Sequence, residues 1–145
     1  MMISRSVRVM YGLGVASLSV ALLWGQNSTP DLVNNPNFTG KVSNVEDKWK
    51  AAFAHYKFDP GARTKWHMHS GGQVMLTEEG VSHHQNKGGP VMEMHANESY
   101  YVQPGVWHWH GATPTESAVQ FNTTRGDITW GDEVSEADFK AKPKR

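Results

Sequence analysis

The chain has 145 residues, 14 basic and 14 acidic, with eight histidines and no cysteine. One compact domain of this length can bury a core without disulfides or a structural metal. The missing thiols exclude cysteine nucleophiles, thiolate-held zinc and iron–sulfur clusters, and the zero net charge, without a clustered basic face, speaks against nucleic acid as a partner.

Taken in chain order, the first segment is "MMISRSVRVMYGLGVASLSVALLWG". Arg5 and Arg8 precede an apolar run from Val9 to Trp24. That run is shorter than the ~20 residues of a membrane span, and the pattern is that of a secretory signal. We expect residues 1–25 to be removed, which places the domain in the periplasm or outside the cell with no stable membrane association. An uncleaved anchor is the alternative. Residues 26–41, rich in Asn, Pro, Ser and Thr, read as an irregular lead-in.

From Val42 to about residue 134, short strands alternate with turns. "WKAAFAHYKF" ends at the Asp-Pro-Gly turn of residues 59–61. "QVMLTEEG" reads as a strand closing at Gly80 and "GVSHHQN" as the next, followed by "PVMEMHANE", "SYYVQPG", "VWHWHGATP", "SAVQFNTT" and "GDITWGD". Only "SEADFKAK" has a helical pattern, with Ser135 as N-cap, and the chain closes on a basic tail. Many short strands separated by Gly and Pro predict an all-β sandwich or barrel.

The histidines are clustered. His67 and His69 form one His-x-His pair, His108 and His110 another. On a strand, residues two apart share a face, so each pair aims two imidazoles at one point. Two such strands facing across a barrel can converge several nitrogens on a metal ion. His83 and His84 are adjacent and point to opposite faces; with His55 and His95 they read as structural or surface groups.

"GARTKWHMHSGGQVMLTEEG" resembles the first motif of the cupins, Gly-x5-His-x-His-x3-Glu-x6-Gly, with Gly61, His67, His69 and Gly80 in register and Gln73 in place of Glu. "QPGVWHWHGATP" resembles the second, through Gly105 and His108; Gln103 and Ala112 depart from it. The left-handed turn opening that motif is expected at Asn97–Glu98. The resemblance implies a double-stranded β-helix, a small jelly-roll barrel. Gln73 and "HWHGATPT" are similar to a small single-domain bacterial subgroup that includes manganese-dependent hydroxynitrile lyases. Carried over, the metal ligands are His67, His69, Gln73 and His108. The cofactor is one divalent transition metal, manganese by resemblance, with Fe, Co, Ni, Cu or Zn compatible with these donors. His110 is then the candidate acid/base. Gln120, also assigned to the catalytic pocket, stands where those lyases carry a further histidine.

Neutral Gln73 leaves the ion's charge uncancelled, which favours Lewis-acid chemistry on small hydroxy or carbonyl compounds. An O2-dependent dioxygenase and a non-catalytic small-ligand or metal-binding cupin are the alternatives. The resemblance also implies a homodimer, with Val42–Phe58 as an edge or exchanged segment. Trp107 and Trp109 are expected to face outward, and Tyr101 and Phe53 to help wall the pocket.

Overall fold

The computed structural model describes residues 32–45 and 53–145; the expected signal at 1–25 lies outside them. Eleven strands and one short helix follow in chain order: β1 (Phe38–Thr39), β2 (Val42–Asn44), β3 (Ala54–Phe58), β4 (Arg63–Thr64), β5 (His67–His69), β6 (Gln73–Asn86), β7 (Val91–His95), β8 (Ser99–Val102), β9 (His108–Ala112), β10 (Ala118–Thr124), β11 (Ile128–Trp130) and α1 (Glu136–Phe139). Phe38–Thr39 thus adds a strand from within the stretch read as an irregular lead-in. Among the described residues no helix is long and apolar enough to cross a membrane.

The strands form two walls of an all-β barrel. One wall runs β2-β3-β10-β6-β8, entirely antiparallel. The other is built from β7, β6 and β9, with β4 and β5 paired to β9, β1 to β4 and β11 to β5. Strand β6 belongs to both. Its first half pairs with β10 and β8, its second with β7 and β9.

The two strands read on either side of Gly80 are therefore one strand of 14 residues. Gly80 does not end it but bends it. Its φ is +72°, and a Cβ there would lie 2.0 Å from the Ser117 carbonyl oxygen. Opposite, the register shifts between Val119 and Gln120. A glycine in the left-handed region beside a bulge turns a strand without breaking its ladder.

Alternation decides which side chains enter the barrel. On β10, Ala118, Gln120 and Asn122 point inward and are buried. On β3, Phe58 packs inside with Val42, Ala62, Ala112 and Ala118. A second apolar cluster lies outside the barrel wall, where Trp66, Val91, Trp109, Val134 and Phe139 pack together with Trp107 against them. The outward placement expected of both tryptophans is what the structure has.

Helix α1 caps this outer cluster. The Ser135 hydroxyl accepts from the Asp138 backbone N–H at 3.0 Å, the N-cap bond expected from the sequence. The Arg63 guanidinium lies 4.1 Å above the Phe139 ring and donates to Glu136 Oε1 at 2.7 Å and to the Val134 carbonyl at 3.2 Å. Asn97 is the one described non-glycine residue with positive φ, +70°, at the turn before β8.

Candidate metal centre

Strands β5, β6 and β9 bring the histidine pairs and Gln73 to one place. His67 lies directly opposite His108 across the β5–β9 pairing, with ring centroids 4.2 Å apart. His110, two residues beyond His108, faces the same interior, 5.3 Å from His67 ring to ring. Potential ligand nitrogens of His67, His108 and His110 all lie within 4.8 Å of one another, and all three residues are buried.

Each imidazole is held by one nitrogen. His67 Nδ1 faces the Lys65 carbonyl at 2.9 Å and His108 Nδ1 the Val106 carbonyl at 3.1 Å. A carbonyl oxygen only accepts, so both Nδ1 atoms carry the proton and both Nε2 atoms are bare. His110 Nδ1 donates to Gln120 Oε1 at 2.7 Å, which fixes the same tautomer. Such outer hydrogen bonds are how metal-binding histidines are oriented.

Burial pushes His67 down to about 3 and His108 down to about 4, and it holds His110 well below its ordinary value. The neighbouring histidines add to the shift for His67 and His110. All three are neutral at pH 7, the form that binds metal.

Gln73 completes the picture. Its Nε2 donates to Asn122 Oδ1 at 3.3 Å and lies 3.4 Å from His110 Nε2. Its Oε1 lies 2.6 Å from His108 Nε2. With His108 in the tautomer above, that last contact sets two lone pairs against each other. Either a turned Gln73 amide or a cation ligated by both atoms removes the conflict, and three buried neutral imidazoles converging beside an amide fit a divalent metal ion.

His69 lies at the outer end of β5, beside the Gly71–Gly72 turn. It borders the same cavity, 5.2 Å from His67 and 5.8 Å from His108 ring to ring, and its Nδ1 is buried without a partner. The tightest three-imidazole group thus contains His110, read as an acid/base, rather than His69, read as a ligand.

The cavity holds about 230 Å³. His67, His69, Gln73, His110 and Asn122 form its polar side; Phe38, Tyr56, Ile128 and Trp130 form its apolar mouth. No lining residue carries a carboxylate, an ammonium or a guanidinium. Tyr101 and Phe53, expected as walls, are 49% and 45% exposed and lie on the outside instead. Tyr101 pairs with Val74, which points out of β6 as its neighbours Gln73 and Met75 point in. Of the histidines read as structural, His83 and His84 are both buried, and the His84 ring packs against the Tyr100 ring with centroids 4.0 Å apart and planes tilted by 40°.

The cupin domain (Cupin_2) model matches residues 54–123. An (R)-mandelonitrile lyase from Granulicella tundricola is 34% identical over 112 residues, covering 71% of this chain and 86% of the lyase. The chain belongs to the cupin family. A cupin-like protein from Thermotoga maritima superposes on this cupin with a TM-score of 0.65 at 28% identity, covering 77% of this chain and 92% of that one. A polyketide cyclase from Streptomyces resistomycificus superposes with a TM-score of 0.55 at 16% identity, over 77% of this chain and 84% of its own, a likeness of fold alone. The buried His67, His108 and His110 of this cupin could bind a metal ion.

Proposed function

We propose that this cupin is a metal-dependent lyase acting on small α-hydroxy or carbonyl compounds, cleaving a carbon–carbon bond as a hydroxynitrile lyase does. The observation that carries the reading is the convergence of neutral nitrogen and amide donors in a cavity without a carboxylate. Similarity to an (R)-mandelonitrile lyase supports the reaction class.

In this reading His67, His69, Gln73 and His108 hold a divalent ion, manganese in the native protein. The ion would supply electrophilic polarisation of a hydroxyl or carbonyl oxygen. The uncharged ligand set leaves its charge undiminished.

The chain's own residues do the rest. Phe38, Tyr56 and Trp130 keep the reacting carbon in an apolar setting and limit access of water. His110 offers Nε2 as proton acceptor, because Gln120 Oε1 fixes the proton on Nδ1. Gln120 positions that ring and does not itself exchange a proton. We further propose that the protein works outside the cytoplasm once residues 1–25 are removed, as a homodimer.

The deciding experiment purifies the protein, measures metals by mass spectrometry, and then follows aldehyde release from mandelonitrile before and after chelation. One metal per chain with chelator-sensitive release is the expected result. Oxygen uptake with catechols and no aldehyde release would replace the lyase with a dioxygenase. Metal without turnover would leave a binding protein. N-terminal sequencing of protein recovered from the periplasm tests export, with a start after residue 25 expected.

A further inference from the structure

Two inward side chains of β10 are left half-used. Gln120 Oε1 accepts from His110 Nδ1 at 2.7 Å, and Asn122 Oδ1 accepts from Gln73 Nε2 at 3.3 Å. Their nitrogens, Gln120 Nε2 and Asn122 Nδ2, are buried and have no partner. With Gln73 Oε1 turned to the metal, its Nε2 faces Asn122 and His110 Nε2, so neither β10 amide can turn round without setting N–H against N–H. Both residues are at most 2% exposed, and being two apart on one strand they share a face. Asn122 lines the cavity beside His67, His69, Gln73 and His110. Buried donors are rarely left unmet in a folded protein, and exceptions point to a ligand or a function.

We propose that Asn122, with Gln120 next to it, forms a donor subsite for a second acceptor on the substrate. The substrate class is then narrower than alcohols or carbonyls at large. It is small molecules with an acceptor (a nitrile nitrogen, a carbonyl oxygen or a carboxylate) on the carbon that bears the hydroxyl. This rests on the metal-dependent reading above. It assigns the hydroxyl oxygen to the histidine cluster and the second acceptor to the β10 amides.

The test compares two neutral, unreactive probes, 2-hydroxy-2-phenylacetamide and benzyl alcohol, which share ring and hydroxyl and differ in the acceptor. They are titrated into the zinc-loaded protein and into Asn122→Asp and Gln120→Glu, with binding followed by NMR. Each variant keeps the oxygen its neighbour uses and replaces the donor by an acceptor. The wild type is expected to bind the amide about tenfold more tightly than the alcohol, the size of about one well-made hydrogen bond. Each variant should lose most of that preference, read as the ratio of its own two affinities, so that any change the new carboxylate makes in the zinc's pull on the shared hydroxyl cancels. In the wild type the Asn122 side-chain amide resonances should shift with the amide and not with the alcohol, a readout that needs no variant. Equal affinities for the two probes in the wild type, or a preference unchanged in both variants, would overturn the subsite and leave the metal-dependent reading standing. Failure of both probes to bind zinc-loaded wild type would overturn the two together.

Discussion

At the scale of single residues, strand period and motif register carried most of the site. His-x-His spacing puts two imidazoles on one face whatever the strand's partners are, and His67, His108 and His110 do meet. Asn122 went unnoticed because a lone asparagine in a strand has no spacing signal. The alternation of "AVQFNTT" held the clue, since Gln120 and Asn122 keep phase with small, core-facing Ala118. Replacing His67 or His108 by Ala should weaken metal retention more than about 100-fold, beyond the effect of losing an outer-shell partner, with the circular dichroism spectrum kept; unchanged metal content would refute the site. His110→Ala should retain metal and lose aldehyde release by about 100-fold or more, as removal of a general base does; loss of the metal would make His110 a ligand instead.

The same residues set the response to acid. His67, His84 and His108 are pushed by burial from 6.5 to about 3, about 4 and about 4, and His110 is lowered with them. Between these values and 6.5 the unfolded chain binds protons that the folded chain refuses, so stability rises with pH across that window. Urea midpoints of the metal-free protein should therefore fall steadily as pH drops from about 6.5 towards about 4 and level off above about 7. A flat profile would mean that these rings are hydrated in solution.

At the scale of elements, the errors share one cause. Period-2 patterning separates the two faces of a strand but does not say which face is inside. Tyr101 and Phe53, expected in the pocket, lie outside it, whereas Tyr56 and Trp130 line it. Gly80 read as a stop because glycine punctuates both turns and bends; only the Ser117 backbone pressed against it distinguishes the two. Gly80→Ala is expected to cost more than about 2 kcal/mol, combining a left-handed alanine with a backbone clash. Urea denaturation would measure it, and a loss near zero would show that the bend can be made another way.

At the scale of the whole molecule, the barrel and the short helix after it were legible from the spacing of turns and from Ser135. The tie between Arg63 and the helix was not, because a basic residue in a two-residue strand carries no sign of a partner 73 positions away. Phe139 is buried among Trp66, Val91, Trp109 and Val134. Truncating it to Ala should cost about 3–5 kcal/mol, read as a drop in melting temperature, while metal content stays intact because the helix packs outside the wall.

Strand β6 crosses from one wall to the other without a break. A barrel stitched in this way has no seam. Neither wall can come apart alone, since each takes one half of the same strand as an inner member. Amide protons on Met75 and Thr77 in one wall, and on His84 in the other, should therefore exchange with solvent through a single opening event of equal free energy. Their slow, matched exchange would mark the chain as one cooperative unit, in which the cavity is reached through its mouth and not by parting the walls.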